Sequence, residues 1–144
     1  MANVVPNAFK GELLSGTHNF ATGGDSFKIA LYTSNPYTTS STAYSSGAGN
    51  EVSGSAAGYS TGGSALTSQA VASSTTTASV DFANLTFSSA TFAAAFGAIY
   101  NDDKSDKLVV ILDFGGTKTA TNGDFTIAFP DPSTPSNAII SLTS

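Results

Sequence analysis

The chain has 144 residues, a mass of 14.4 kDa and a formal charge of −5, with 40% hydrophobic but only 10% charged residues. Its polar half is made of hydroxyls and glycine (22 Ser, 19 Thr and 14 Gly), and Cys, Trp and Arg are absent. This composition excludes disulfides, thiolate nucleophiles and Cys-ligated zinc, provides no basic patch for nucleic acid, and contains no run of the roughly 20 apolar residues that a membrane-spanning helix needs.

The opening residues Met1 to Pro6 lack a basic region followed by an apolar one. No secretory leader is therefore expected, and assembly should take place in a cytoplasm. Residues 7–16 carry the one helical signal. Asn7 is a candidate cap, Phe9 and Leu13 share a face that Leu14 widens, and Gly16 suits the left-handed position after a helix end. Gly11 weakens the helix, so packing must hold it.

After a turn at Thr22-Gly23-Gly24-Asp25, the run from Phe27 to Thr33 alternates with period two and predicts a half-buried strand. From Ser34 to Gly63 the composition turns to Ser, Thr, Tyr, Gly and Asn, which predicts a long polar loop or arm. A loop of that length is functional or folds against a partner. Residues 64–144 are strand-rich. Ala65 to Ala72 and Ser74 to Phe82 read as strands, joined or continued through Ser73, and Leu85-Thr86-Phe87 as a short one. Thr91 to Tyr100 fits a helix or a strand, and Gly97 with the break at Asn101 favours the strand.

Lys107 to Phe114 is apolar on both faces, the pattern of a central, doubly covered strand. Gly115-Gly116 reads as a turn and Asn122-Gly123 as a hairpin, with Phe125, Ile127 and Phe129 alternating after it. Pro130, Pro132 and Pro135 end that strand before a last short one near Ile139 to Leu142. Seven or eight short strands and one helix predict a mainly β chain: a single domain over 1–144, folded as an antiparallel β-sandwich or small barrel-like fold with one short N-terminal helix.

Chemistry-bearing residues are sparse. His18 is the only imidazole and is expected to be structural, since catalysis would require a nucleophile and an orienting acid that the sequence does not place. No G-x-S-x-G elbow, phosphate-binding loop or H-E-x-x-H motif occurs. The turn Asn101 to Asp106 imitates the first half of a calcium loop, but Asp106 stands where that loop needs Gly and Leu112 where it needs Glu. Asp113 and Asp124 flank the double-glycine hairpin and are expected to accept backbone or Thr hydrogen bonds at the turn. Asn84-Leu85-Thr86 matches a glycosylation sequon with no leader to make use of it. Tyr37, Tyr44 and Tyr59, set among Ser, Gly and Asn, have the composition of a recognition loop and are the candidate interface residues.

Several blocks taken together carry a resemblance. Phe9 to Phe20, Phe27 to Ser34 and Asn50 to Gly54, followed by Phe87 to Phe92, Gly97 to Asn101, Leu112 to Gly116 and Asn122 to Ile127, resemble small virion structural proteins of tailed bacteriophages. The resemblance implies a component of the phage particle with no catalytic, cofactor-binding or metal residues. It fits best a capsid decoration (cement) protein that sits as a homo-oligomer, with a trimer favoured, on the major capsid protein of the virion. A tail or head-to-tail connector subunit is the alternative. A carbohydrate-binding module of a fibre, using the exposed Tyr side chains, is a third reading from a different class. No enzyme activity, nucleic acid, membrane or small-molecule ligand is expected.

Overall fold

The computed structural model describes residues 3–130 and 138–144. Pro132 and Pro135 lie outside the described residues. The protein is mainly β, with one short N-terminal helix and seven strands in two antiparallel sheets among the described residues, a sandwich-like arrangement.

Helix α1 spans Asn7–Leu14. Pro6 stands at its N-cap and Asn7 is its first residue, so the expected Asn7 cap does not form. Instead the Asn7 backbone N–H donates to the Thr39 carbonyl at 2.8 Å, and its side chain accepts from Lys10 Nζ at 3.3 Å. At the other end Gly16, with φ +73°, closes the helix as expected. Its N–H donates to Leu13 O and that of Thr17 to Glu12 O, the paired bonds of a Schellman motif.

Strand β1 (Phe27–Tyr32) is buried on both faces rather than half-buried. Phe27, Ile29 and Leu31 enter the main core, whereas Ala30 and Tyr32 enter a second, smaller one beneath residues 34–63. The segment expected as one strand from Ala65 to Ala72 divides into β2 (Ser64–Ala65) and β3 (Ala70–Ser73). Ser68, at φ +55°, redirects the chain between them from one sheet to the other. Strand β4 (Thr77–Asp81) pairs with β3 after a tight turn closed by Ser74 N–H to Thr77 O at 2.8 Å.

The Leu85 and Thr91 segments merge into one 17-residue strand, β5 (Leu85–Asn101). A 3-10 turn at Asp102–Lys104 leads into β6 (Lys107–Ile127), 21 residues long. Neither Gly115-Gly116 nor Asn122-Gly123 turns the chain. The pairing moves from Phe96↔Asp113 to Ala94↔Lys118, and from Phe92↔Ala120 to Ala90↔Gly123, so both sites are bulges within β6. Positive φ at Gly115, Gly116 and Asn122 supplies the extra residues, because bulges draw on the same backbone conformation as hairpin turns. Strand β7 (Ile140–Thr143) completes the smaller sheet close to its expected place.

The sheets run β2-β1-β5-β6 and β3-β4-β7. The apolar segment expected at the centre of a sheet thus belongs to a marginal strand. It is buried on both faces all the same, and its outer side is bridged by Val4 opposite Ile111 and by Ala43 opposite Lys107. Aromatic rings cluster within the main core. Phe20 stacks on Phe27 at 4.5 Å, Phe27 meets Phe82 edge-on, and Phe87, Phe92 and Phe125 form a second group against Tyr59. Each fully buried Phe contributes roughly 1.5–3 kcal/mol from burial alone.

Candidate functional surface

Residues 34–63 lie across the sheet of their own chain. Val52 N–H donates to Leu31 O at 2.9 Å, Thr33 N–H to Asn50 O at 2.8 Å, and Tyr44 N–H to Asp106 O at 2.8 Å. The three candidate interface tyrosines take part in this attachment. Tyr37 and Tyr59 are buried within the chain, and Tyr44 is half-buried with its ring stacked on Tyr100 at 4.5 Å.

Glu51 is the hub. Its Oε1 accepts from Tyr59 Oη at 2.8 Å and from Gly62 N–H at 2.7 Å, while Oε2 accepts from Tyr44 Oη at 3.0 Å. Tyr59 Oη in turn accepts from Leu31 N–H at 3.0 Å, and Tyr100 Oη donates to Gly62 O at 2.7 Å. Tyr32 and Tyr37 share a hydroxyl bond of 2.9 Å. Burial holds the hydroxyls of Tyr32, Tyr44, Tyr59 and Tyr100 well above the ordinary phenol range, and the negative charge of Glu51 adds to it.

His18 sits in a second buried network. Asn101 Nδ2 lies 3.0 Å from His18 Nδ1 and donates to Asp25 Oδ2 at 2.9 Å, and Asn101 Oδ1 accepts from Asp103 N–H at 3.2 Å. An amide nitrogen can only donate, so Nδ1 is the acceptor and the imidazole proton resides on Nε2, 3.0 Å from Glu12 Oε2. Both ring nitrogens are engaged, which leaves none to activate a nucleophile. Glu12 also receives Lys107. Burial by itself would raise the Glu12 and Asp25 carboxyls, but the Lys107 and His18 contacts of the first, and the Asn101, Asn19 and Lys104 contacts of the second, hold both below the usual carboxylate range.

The oxygens of the calcium-like turn are likewise engaged with the chain. Asp103 Oδ2 accepts from Ser26 N–H at 2.7 Å, and Asp102 pairs with Lys28 at 3.0 Å. Asp113 Oδ1 accepts from Gly115 N–H at 2.9 Å at the first bulge of β6, and Asn84 Oδ1 accepts from Phe129 N–H at 2.8 Å.

The surface feature that sequence reasoning missed is apolar. Leu14, Val71 and Leu142 are 88%, 55% and 59% exposed, and they are the exposed large hydrophobic residues among those described. All three border one strip between α1 and the smaller sheet. There, a groove of about 500 Å³ lined by Phe9, Leu13, Leu14, Ile140 and Leu142 adjoins another of about 260 Å³ lined by Phe20, Val71, Val80 and Leu142. Leu14 at the margin of the helical stripe and the Ile-Ser-Leu-Thr alternation near the end were the available signals. Sequence could not show that their neighbours leave them uncovered.

No protein-family model, curated protein or solved structure matches the chain.

Proposed function

We propose that this protein is a structural subunit of a bacteriophage virion, a capsid decoration protein that acts as a homo-oligomer and clamps assembled major capsid protein. The observation that carries this reading is the uncovered apolar strip around Leu14, Val71 and Leu142, set in a surface otherwise rich in hydroxyls. Exposed apolar surface rimmed by polar residues marks a site of contact. The engagement of His18 and Glu51 in internal bonds supports the same reading, as does the resemblance in sequence. Binding that is available only on the assembled shell would stabilise the shell by mass action and leave free subunits unaffected.

The tyrosines support sugar binding less well, because Tyr37 and Tyr59 are buried and Tyr44 lies against Tyr100. The test is to compare shells assembled with and without the protein for thermal and osmotic rupture and to count copies per particle. Greater resistance with hundreds of copies supports decoration. Equal rupture refutes it, and a few copies at one vertex would move the protein to the tail or neck.

A further inference from the structure

The margins of the two sheets are built differently. In the larger sheet β2 is only two residues long, while the outer side of β6 carries the bulges at Gly115-Gly116 and Asn122 together with the exposed charges Lys118 and Asp124. Short strands, bulges and charges are the means by which a sheet margin resists pairing with another chain. The same reasoning accounts for the concavity of about 430 Å³ along β6, where Lys118 and Asp124 stand beside Phe114 and Phe125.

Of these devices β7 of the smaller sheet has only shortness, with four residues. Ile140-Ser141-Leu142-Thr143 has no charge and no Pro, and it runs in unbroken register with β4. Ser144 N–H donates to Thr76 O at 3.1 Å, so that pair is hydrogen-bonded. Alternation then places Leu142 with Ala78 and Ile140 with Val80 in bonded pairs, and turns the backbone N–H and C=O of Ser141 and Thr143 away from β4. β3 presents Val71 and Ser73 in the same way, but Thr22 Oγ1 already donates to the Gln69 carbonyl there, at 3.3 Å.

We propose that β7 is a docking edge on which a second copy of this chain pairs antiparallel about a two-fold axis, joining two three-stranded sheets into one of six. The parity of the edge sets the register. Ser141 and Thr143 both point outward, so Ser141 meets Thr143 of the second copy as a bonded pair, and the reciprocal pair forms across the axis. Leu142 then faces its own counterpart at the unbonded position, where side chains approach most closely. A two-fold contact uses the same patch on both partners, as this one does.

Charge selects the same site. Two copies at −5 each repel one another over most approaches, whereas Ile139 to Thr143 carry no charged side chain and the groove beside them holds only Lys10 among charged residues. The contact also covers Leu142, beside which Leu14 stands exposed. It does not rest on the virion reading, although it takes Leu142 from the strip that carries that reading, and within a virion it would link copies belonging to different trimers.

The experiment uses the full chain and its lack of native Cys. Unbonded antiparallel partners have Cα atoms about 4.5 Å apart, within disulfide reach. Leu142→Cys should therefore cross-link to a covalent dimer on mild oxidation, and Ser141→Cys, which faces Thr143, should not. In sedimentation velocity over a dilution series, the wild-type chain should reach twice 14.4 kDa. Ser141→Pro removes one outward N–H and leaves the β4 pairing intact, so it should stay at the monomer mass with an unchanged circular dichroism spectrum, as should Leu142→Lys. A wild-type chain that is monomeric throughout, equal cross-linking of the two Cys variants, or dimers persisting in Ser141→Pro and Leu142→Lys would each overturn the proposal. Loss of the dimer in Val71→Lys instead would assign the contact to β3.

Discussion

Raising the pH should unfold this protein abruptly, because three of its tyrosines are trapped protonated. Tyr32, Tyr59 and Tyr100 are almost wholly buried, and their hydroxyls are held above the usual phenol range first by burial and then by their neighbours. In the unfolded chain each ionises near pH 10. Because the folded state retains those protons, the contribution is complete below pH 10 and is lost as the pH climbs above it. Each retained proton lowers stability by about 1.4 kcal/mol per pH unit, so three tyrosines remove about 4 kcal/mol per unit. Two units would remove about 8 kcal/mol, comparable with the whole stability of a typical domain, roughly 5–15 kcal/mol. The assay follows tyrosinate absorbance and far-ultraviolet circular dichroism together through an alkaline titration. Both should change in one steep step above pH 11 or so, with little phenolate signal from these residues beforehand. A full five-tyrosine absorbance rise centred near pH 10, with the circular dichroism unchanged, would refute the burial argument.

Other outcomes follow from the same geometry. On the acid side the folded carboxyls of Glu12 and Asp25 are depressed, so their contribution is complete above the ordinary carboxylate range near pH 4 and is lost as the pH falls below that range through their folded values; thermal melts should show the midpoint dropping there, and less steeply in Lys107→Met. Gly63→Ala should destabilise by several kcal/mol in denaturant melts, because at φ +77° its Cβ would fall on the Ile29 carbonyl and break the β1–β2 contact. Gly11→Ala should instead stabilise by about 1 kcal/mol in the same melts, since a helix interior favours Ala and nothing outside the helix's own backbone lies within 4 Å of the new methyl. Tyr59→Phe deprives both Leu31 N–H and Glu51 of a partner and should cost about 1–3 kcal/mol.

Local pattern carried the fold a long way. The alternation from Phe27 to Thr33, the helical stripe of Phe9 and Leu13, and Gly16 as a terminator all correspond to observed elements, because each follows from backbone and side-chain geometry within a few residues. What the pattern could not show was distant pairing. Asn122-Gly123 signals positive φ, but only the partner strand decides whether that becomes a turn or a bulge, and here Ala90 stands opposite Gly123. The burial of β1 on both faces depends on residues 34–63 returning over it, and nothing within Phe27 to Tyr32 encodes that. The candidate interface was legible only as composition. Tyr37, Tyr44 and Tyr59 looked like recognition residues because Tyr with Ser and Gly suits an interface and an internal clasp equally well. The apolar strip went unread because exposure of Leu14, Val71 and Leu142 is a property of what fails to cover them.

The β5–β6 hairpin has a mechanical consequence. Thirteen register pairs, interrupted by bulges, tie one long strand to its neighbour across most of the domain. A pull along the strand axis between the Asp102–Lys104 turn and the paired ends Leu85 and Ile127 runs along the covalent backbone of both strands, which the register pairs hold side by side. A pull across the strands would open them one after another. A subunit anchored through the ends of this hairpin would therefore act as a tie-bar, stiff in one direction and yielding in the other.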